Sequence, residues 1–288
     1  MKILITGANG TIGSDLVDFF SKKNKVYALY RTPNFTTKNL KNKNIKWIKQ
    51  DLAKKILIKI KPKIIIHCVV SHPYSKKNSY LDSLNSNIFA LKNVINFANK
   101  NKVDKFFYLS SIKIYGEIYN KINTDSNIFV NPDILGASKI LSEKILEIKK
   151  FNYLSIRLPG VFTYYTKDNR RPWLNSIINN LRRNKVLNIY NSKKNFNNII
   201  DKIKIFKFID FVMKRKKIKN GSFNFSARKP IVIKKMILDL KSKLSSSSKV
   251  FFKKKKTTNF IIESKRVYKD YKFKIASTSA VIDRYIDN

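Results

Sequence analysis

The 288-residue sequence predicts an α/β protein, a doubly wound parallel sheet followed by a smaller C-terminal substrate lobe. Three observations carry that expectation. Short apolar runs alternate with amphipathic helical segments six times, with short connections, over the first 160 residues, as in a parallel sheet covered on both faces. The first run, residues 2–5, breaks at once into the spacing G-x-x-G-x-x-G at Gly7, Gly10 and Gly13. Beyond residue 160 the alternation stops. The expected division is therefore a dinucleotide-binding domain at 1–160 and a lobe at 161–288, from which some segments return to the sheet.

A strand, a glycine turn and a helix together let backbone N–H groups at a helix N-terminus hold a pyrophosphate. Glycine is needed where a Cβ would block the turn, the phosphate or the packing of helix on strand. The chain has seven glycines, and three of them fall within these seven positions, which argues against a chance cluster. The following helix carries Ile12, Leu16, Val17, Phe19 and Phe20 on one side. Residues 25–30 form a second strand ending at Arg31, where an acidic residue would take the ribose hydroxyls of NAD and a basic one the 2′-phosphate of NADP. Arg31 gives a slight preference for NADP, slight because 61 of the 288 residues are Lys or Arg.

Residues 45–49 form a third strand. Asp51, after it, either caps a following helix or contacts an adenine, capping being the commoner role. A fourth strand at 63–70 has His67 and Cys68 at its C-terminal end. A helix at 81–100 carries Leu84, Ile88, Leu91, Val94, Ile95 and Ala98. The fifth strand, 103–109, ends in Ser110 and Ser111, where ligands of doubly wound sheets lie. A helix from about 131 to 150 is expected to turn Leu141, Ile145, Leu146 and Ile148 inward, and 153–157 is the sixth strand. The lobe should hold helices at 173–183 and 231–244 and short strands at 186–190 and 223–226.

The formal charge of +43 and pI of about 10.2 imply nonspecific attraction to polyanions at low salt. Lysines are spread over nearly every element, and the longest basic run, 253–256, lacks interleaved aromatics, so no specific nucleic-acid function is expected. No apolar run reaches the length of a membrane span, and the first is too short for a signal-peptide core. The single cysteine, Cys68, excludes an intramolecular disulfide and fits a reducing compartment, the cytoplasm. Two histidines, His67 and His72, without a carboxylate cluster, predict no metal site.

Several motifs recur together: Thr6-Gly7-x-x-Gly10-x-x-Gly13, Asp51-Leu52, Ile66-His67, Asn87 with Asn93-Val94, and Leu109-Ser110-Ser111-x-x-x-Tyr115-Gly116. They continue with Pro132-x-x-Leu135-Gly136-Ala137-Ser138-Lys139, Arg157-Leu158-Pro159-Gly160-Val161 and Gly221-Ser222-Phe223-Asn224. Over nearly its whole length the chain resembles the extended short-chain dehydrogenase/reductase family, the NAD-dependent epimerases, dehydratases and reductases of nucleotide sugars. The resemblance implies a Rossmann-type fold with NAD or NADP held by Gly7, Asn9, Gly10, Thr11, Ile12, Gly13, Arg31, Asp51, Leu52, Cys68 and Lys139. It implies catalytic roles for Ser111, Lys139 and Asn87, beside a tyrosine four residues before the lysine. Leu135 stands at that position. Tyr115, which follows the strand that carries the catalytic serine, is the candidate substitute, though packing or substrate contact is its more ordinary role. A second departure puts Asp201 and Lys204 where the family commonly has His and Asp. Arg170, Arg171 and Trp173 are candidates for holding a diphosphate and a base.

The implied function is an NAD(P)-dependent epimerase, dehydratase or reductase of a nucleotide sugar with an impaired or substitute proton donor. The alternative is a cofactor-binding regulatory or scaffold protein without turnover. A homodimer through the helices at 81–100 and 133–150 is also implied.

Overall fold

The structure is a computed structural model and describes residues 1–71, 80–118, 120–122, 129–149, 151–162, 172–254 and 260–286. The chain forms two compact units, the first made of Met1–Glu117, Ile128–Leu158 and Ile205–Phe223, the second of Ile118–Asn127, Pro159–Lys204 and Asn224–Asn288.

A seven-stranded sheet organises the first unit. Its strands are β1 (Lys2–Thr6), β2 (Lys25–Tyr30), β3 (Ile45–Lys49), β4 (Ile64–His67), β5 (Lys105–Ser111), β6 (Asn152–Leu158) and β7 (Gly221–Asn224), in the order β7-β6-β5-β4-β1-β2-β3. The pairings from β3 across to β6 are all parallel. Ile3, Leu4 and Ile5 are fully buried, because both faces of the sheet are covered and a central strand has no solvent side. The chain leaves β1 towards β2 and returns on its other side at β4. That reversal opens a crevice beyond the carboxyl ends of β1 and β4, where doubly wound sheets bind ligands.

Three local expectations are corrected. No helix follows Asp51: residues 52–54 make a turn, and the chain then runs without regular structure to β4. The reason lies in its pattern, since Ile56, Ile58 and Ile60 alternate with charged or exposed residues and all three pack on the core, a period of two rather than 3.6. The helix Ile134–Glu147 buries Leu135, Gly136, Ser138, Lys139, Ser142, Glu143 and Leu146, while Leu141 and Ile148 are exposed. Its inward stripe keeps helical spacing but is mostly polar. The expected lobe strand at 223–226 is instead β7, at the edge of the main sheet.

Residues 80–100 form one helical rod, Tyr80–Leu84, a π-helical segment Asn85–Phe89, and Ala90–Lys100, whose Leu91, Val94, Ile95 and Ala98 pack on the sheet core. The helix Lys202–Met213 was not anticipated, because Lys-Ile-Lys-Ile-Phe-Lys-Phe reads as strand alternation.

The second unit pairs Gly160–Phe162 with Ile199–Asp201, Leu187–Tyr190 with Val250–Lys253, and Asn120–Ile122 with Phe260–Ile262, all parallel. The helices Pro172–Arg182, Ile233–Lys243 and Thr278–Ile286 enclose its own core, which includes Leu174, Ile178, Leu181, Ile237, Leu240 and Val281. Asp201 is fully buried; its carboxylate accepts from the Lys204 N–H at 3.0 Å and pairs with Arg284.

Candidate functional site

The chain turns out of β1 at Gly7 with φ +65°, a conformation that side-chain-bearing residues rarely adopt. The Ala8 N–H donates to Leu29 O on β2 (3.0 Å) and Gly10 N–H to Gly7 O (3.0 Å), which closes the turn. A Cβ at Gly13 would stand 2.0 Å from Gly7 O, so only glycine lets the helix Thr11–Ser21 pack this close to the turn. That helix has Gly10 as its N-cap and no side-chain cap bond, so Thr11 and Ile12 open a backbone-lined N-terminus. Asn9 braces the turn from outside: its Nδ2 donates to Thr32 O (2.6 Å) and its carbonyl accepts from Asn34 Nδ2 (2.8 Å). Both bonds reach the segment that follows Arg31, which is exposed.

Asp51 supports its own turn, its Oδ1 accepting from Ala53 N–H at 3.0 Å. Leu52 is buried in the core and its carbonyl accepts from Asn93 Nδ2 at 2.8 Å. Cys68 follows β4 and donates its N–H to Thr6 O (3.1 Å); burial pushes its thiol up to about 12. A Cβ at Gly7 would meet the Cys68 carbonyl carbon at 3.2 Å, so β1 and β4 meet closely at the crevice. His67, at the end of β4, shares a 2.8 Å hydrogen bond between its Nδ1 and Thr6 Oγ1. Burial, then the Lys139 charge, lowers it to about 3, so the ring is neutral.

Beyond β5 the chain makes a 3-10 turn, Ile112–Tyr115, capped by Ser111, whose Oγ accepts from Lys113 N–H (3.2 Å). Successive strand residues face opposite sides, and Ser110 turns the other way, donating to Glu143 Oε1 at 2.5 Å. The helix Ile134–Glu147 begins at Asp133, whose Oδ1 accepts from Gly136 N–H (2.8 Å) and whose Oδ2 pairs with Lys113 at 2.6 Å. Leu135 lies in its first turn, 3% exposed. One turn on, Lys139 is 4% exposed; its Nζ donates to Leu109 O (2.9 Å) and lies 4.5 Å from the Tyr108 ring centre. Burial draws this amine down from 10.5 to about 8.

Asn87 sits in the π-helical segment, a geometry common at functional sites. Its Oδ1 accepts from Ser71 N–H (2.8 Å), and its Nδ2 donates to Ser71 O (3.2 Å) and Ser138 Oγ (3.3 Å). It thereby joins the chain after β4 to the helix that carries Lys139.

Glu143 was missed by the sequence reading. It forms a buried pair with Arg157, whose NH2 lies 2.7 Å from Oε2, and also accepts from Ser110 and from Ser222 on β7 (2.8 Å). Arg157 NH1 donates to the Tyr115 hydroxyl at 2.8 Å. Burial works against the Arg157 charge, but Glu143 and Tyr115 outweigh it and raise its pKa. Tyr115 is 2% exposed and bound into this network. The signal for Glu143 was its place four residues after Lys139, on the same helix face, in a chain with only 18 acidic residues.

In the second unit, Trp173 is 43% exposed with its ring 5.4 Å from that of Phe196. Arg170, Arg171 and His72 lie outside the described residues. Among the described residues no three His, Cys, Asp or Glu stand together as metal ligands would, and no helix is long and apolar enough to cross a membrane.

Comparison with known proteins bears on the fold and the family. The dTDP-D-glucose 4,6-dehydratase of Dictyostelium discoideum is 28% identical over 249 residues, which cover 76% of this chain and 57% of that protein. The chain thus spans little more than half the length of that curated relative. UDP-glucuronic acid 4-epimerase from Bacillus cereus, solved in complex with NAD, superposes with a TM-score of 0.80 at 18% identity, covering 100% of this chain and 99% of that one. UDP-N-acetylglucosamine 4-epimerase from Methanobrevibacter ruminantium M1, solved with UDP-N-acetylmuramic acid, gives 0.79 at 21% identity, covering 99% and 98%. At these identities the solved structures share the fold. The model of the NAD dependent epimerase/dehydratase family matches residues 3–223, and the chain belongs to that family.

Proposed function

We propose that this chain binds NAD or NADP across the glycine turn and acts on a nucleotide sugar as an epimerase, dehydratase or reductase. The observation that carries this reading is the backbone cradle at the β1/β4 crevice, where a Cβ on Gly13 would collide with the Gly7 carbonyl and one on Gly7, at φ +65°, would crowd the backbone at Cys68, together with the buried Lys139. Gly7, Asn9, Gly10, Thr11, Ile12 and Gly13 would hold the pyrophosphate, with the helix N-terminus facing its charge. Asp51 and Leu52 would lie at the adenine end, and Cys68, Ser111, Asn87 and Lys139 at the nicotinamide and sugar end. Arg31, exposed after β2, favours the 2′-phosphate of NADP. Bound there, the nicotinamide supplies hydride exchange. The family membership and the nucleotide-sugar enzymes among the relatives support the substrate class.

Leu135 occupies the place of the family's tyrosine, so turnover depends on another proton donor. Removing a general acid/base costs a factor of about 10² to 10⁴. A second reading follows from that buried, apolar side chain: a regulatory or scaffold protein that holds the cofactor without turnover. The exposed apolar Leu81, Phe89 and Leu141 on the helices at 80–100 and 134–147 support a homodimer through those helices. The lone cysteine supports a reducing, cytoplasmic setting.

The test is to incubate the protein with NAD or NADP and a panel of nucleotide sugars, following products by NMR, beside Leu135→Tyr. Epimerised, dehydrated or reduced product from the wild type establishes the enzyme. Product from Leu135→Tyr alone establishes an intact site that lacks its donor. Cofactor binding with no product from either supports the second reading.

A further inference from the structure

Lys139 is a buried amine with an unusual set of neighbours. An ammonium has three donors, of which the Leu109 carbonyl takes one, and no carboxylate forms an ion pair with it among the described residues. Its charge is felt from β4 by His67, held neutral chiefly by burial, and after β4 by Cys68, held as the thiol. From β5 it meets the Tyr108 ring, whose phenol burial pushes above its ordinary range. On its own helix the nearest charge is Glu143, which Arg157, Ser110 and Ser222 already engage. One turn back stands Leu135, with no proton to give.

We propose that in this chain the Lys139 amine itself exchanges the proton with the substrate hydroxyl, the task that a phenol at position 135 would otherwise perform. This rests on the functional reading above and names the acid/base group of that same site. In the oxidative direction the sugar O–H breaks and its proton adds to the amine to give the ammonium. The carbon's hydride leaves to the oxidised nicotinamide dinucleotide, and the oxygen's electron pair completes the C=O bond. The return step reverses each of these. An amine drawn to about 8 populates both protonation states near working pH, as a general base must.

The test has two readouts. Protein labelled with ¹³C at lysine Cε is titrated by NMR, and the signal missing from Lys139→Arg identifies Lys139. A midpoint near 8 is expected, whereas an amine still charged above pH 10 overturns the proposal. Turnover is then measured against pH for wild type, Lys139→Ala, Lys139→Ala with added small primary amines, and Leu135→Tyr. We expect wild-type kcat to rise through about pH 8 where sugar oxidation limits the rate and to fall through it where reduction does, a loss of roughly 100-fold or more in Lys139→Ala, and partial rescue by the amines. An active wild type with an equally active Lys139→Ala overturns this inference and leaves the functional reading standing. An inert wild type beside an active Leu135→Tyr also overturns it, since the site then requires the phenol. If neither protein turns over any nucleotide sugar, the enzymatic reading fails and takes this inference with it.

Discussion

Lys139 and Glu143 lie one helical turn apart, and both are buried, yet their electrostatic situations are opposite. Lys139 is solvated by a carbonyl and a ring, so the fold works against its charge. The unfolded chain keeps that proton to about 10.5 and the folded one to about 8, so between those values the unfolded state binds more protons and stability rises with pH. We expect wild-type stability, minus that of Lys139→Met, to climb by about 3 kcal/mol from pH 7 to 10.5 in denaturant unfolding; a flat difference contradicts the assignment. Glu143 is instead saturated by Arg157, Ser110 and Ser222. Glu143→Leu leaves the Arg157 guanidinium buried without its partner and should cost about 3–5 kcal/mol, read from the shift in denaturation midpoint. The two residues were not equally legible. Lys139 stands in a recognisable motif, as do the three glycines. Glu143 is informative only once the inward face of its helix is known, and that face is polar where a hydrophobic stripe was expected.

Single elements show why local pattern succeeds or fails. The helix Ile134–Glu147 is anchored by Asp133, whose carboxylate meets both the Gly136 N–H and Lys113. Asp133→Ala should destabilise the protein by about 1 kcal/mol, and Asp133→Asn should retain most of that, which thermal unfolding of the pair can decide. The strands β1, β2, β4 and β5 were legible because buried parallel strands are short, largely apolar runs, whereas β3, at the sheet edge, shows a broken Ile-Lys-Trp-Ile-Lys pattern. The helix Lys202–Met213 was not legible, since its buried Ile205, Phe206, Phe208 and Ile209 sit among lysines in near-alternation. The stretch after Asp51 misled in the opposite sense, because a crossover from β3 to β4 raises the expectation of a helix that its isoleucines, spaced by two, do not support. The π-helical turn at Asn85–Phe89 left no mark in hydrophobic spacing, although it carries Asn87.

For the whole molecule, a formal charge of +43 sets a background of self-repulsion. Salt screens it, with a Debye length of about 10 Å at 0.1 M, so the thermal midpoint should rise as NaCl goes from about 0.02 to 0.3 M. A midpoint that falls would mean that the surface ion pairs matter more than the excess cations. The same charge obscures function in the sequence, because one basic residue such as Arg31 carries little information in a chain so rich in them. The central claim rests instead on the crevice beyond β1 and β4, where glycines at 7 and 13 keep backbone close and side chains out. It is tested most directly by calorimetric titration of the purified protein with NAD and with NADP at moderate salt, beside Gly13→Ala. Saturable binding of at least one dinucleotide, weakened about tenfold or more in a folded Gly13→Ala, is the predicted result. No binding of either by the wild type would contradict the account and leave this fold without the cofactor that its glycine turn is shaped to hold.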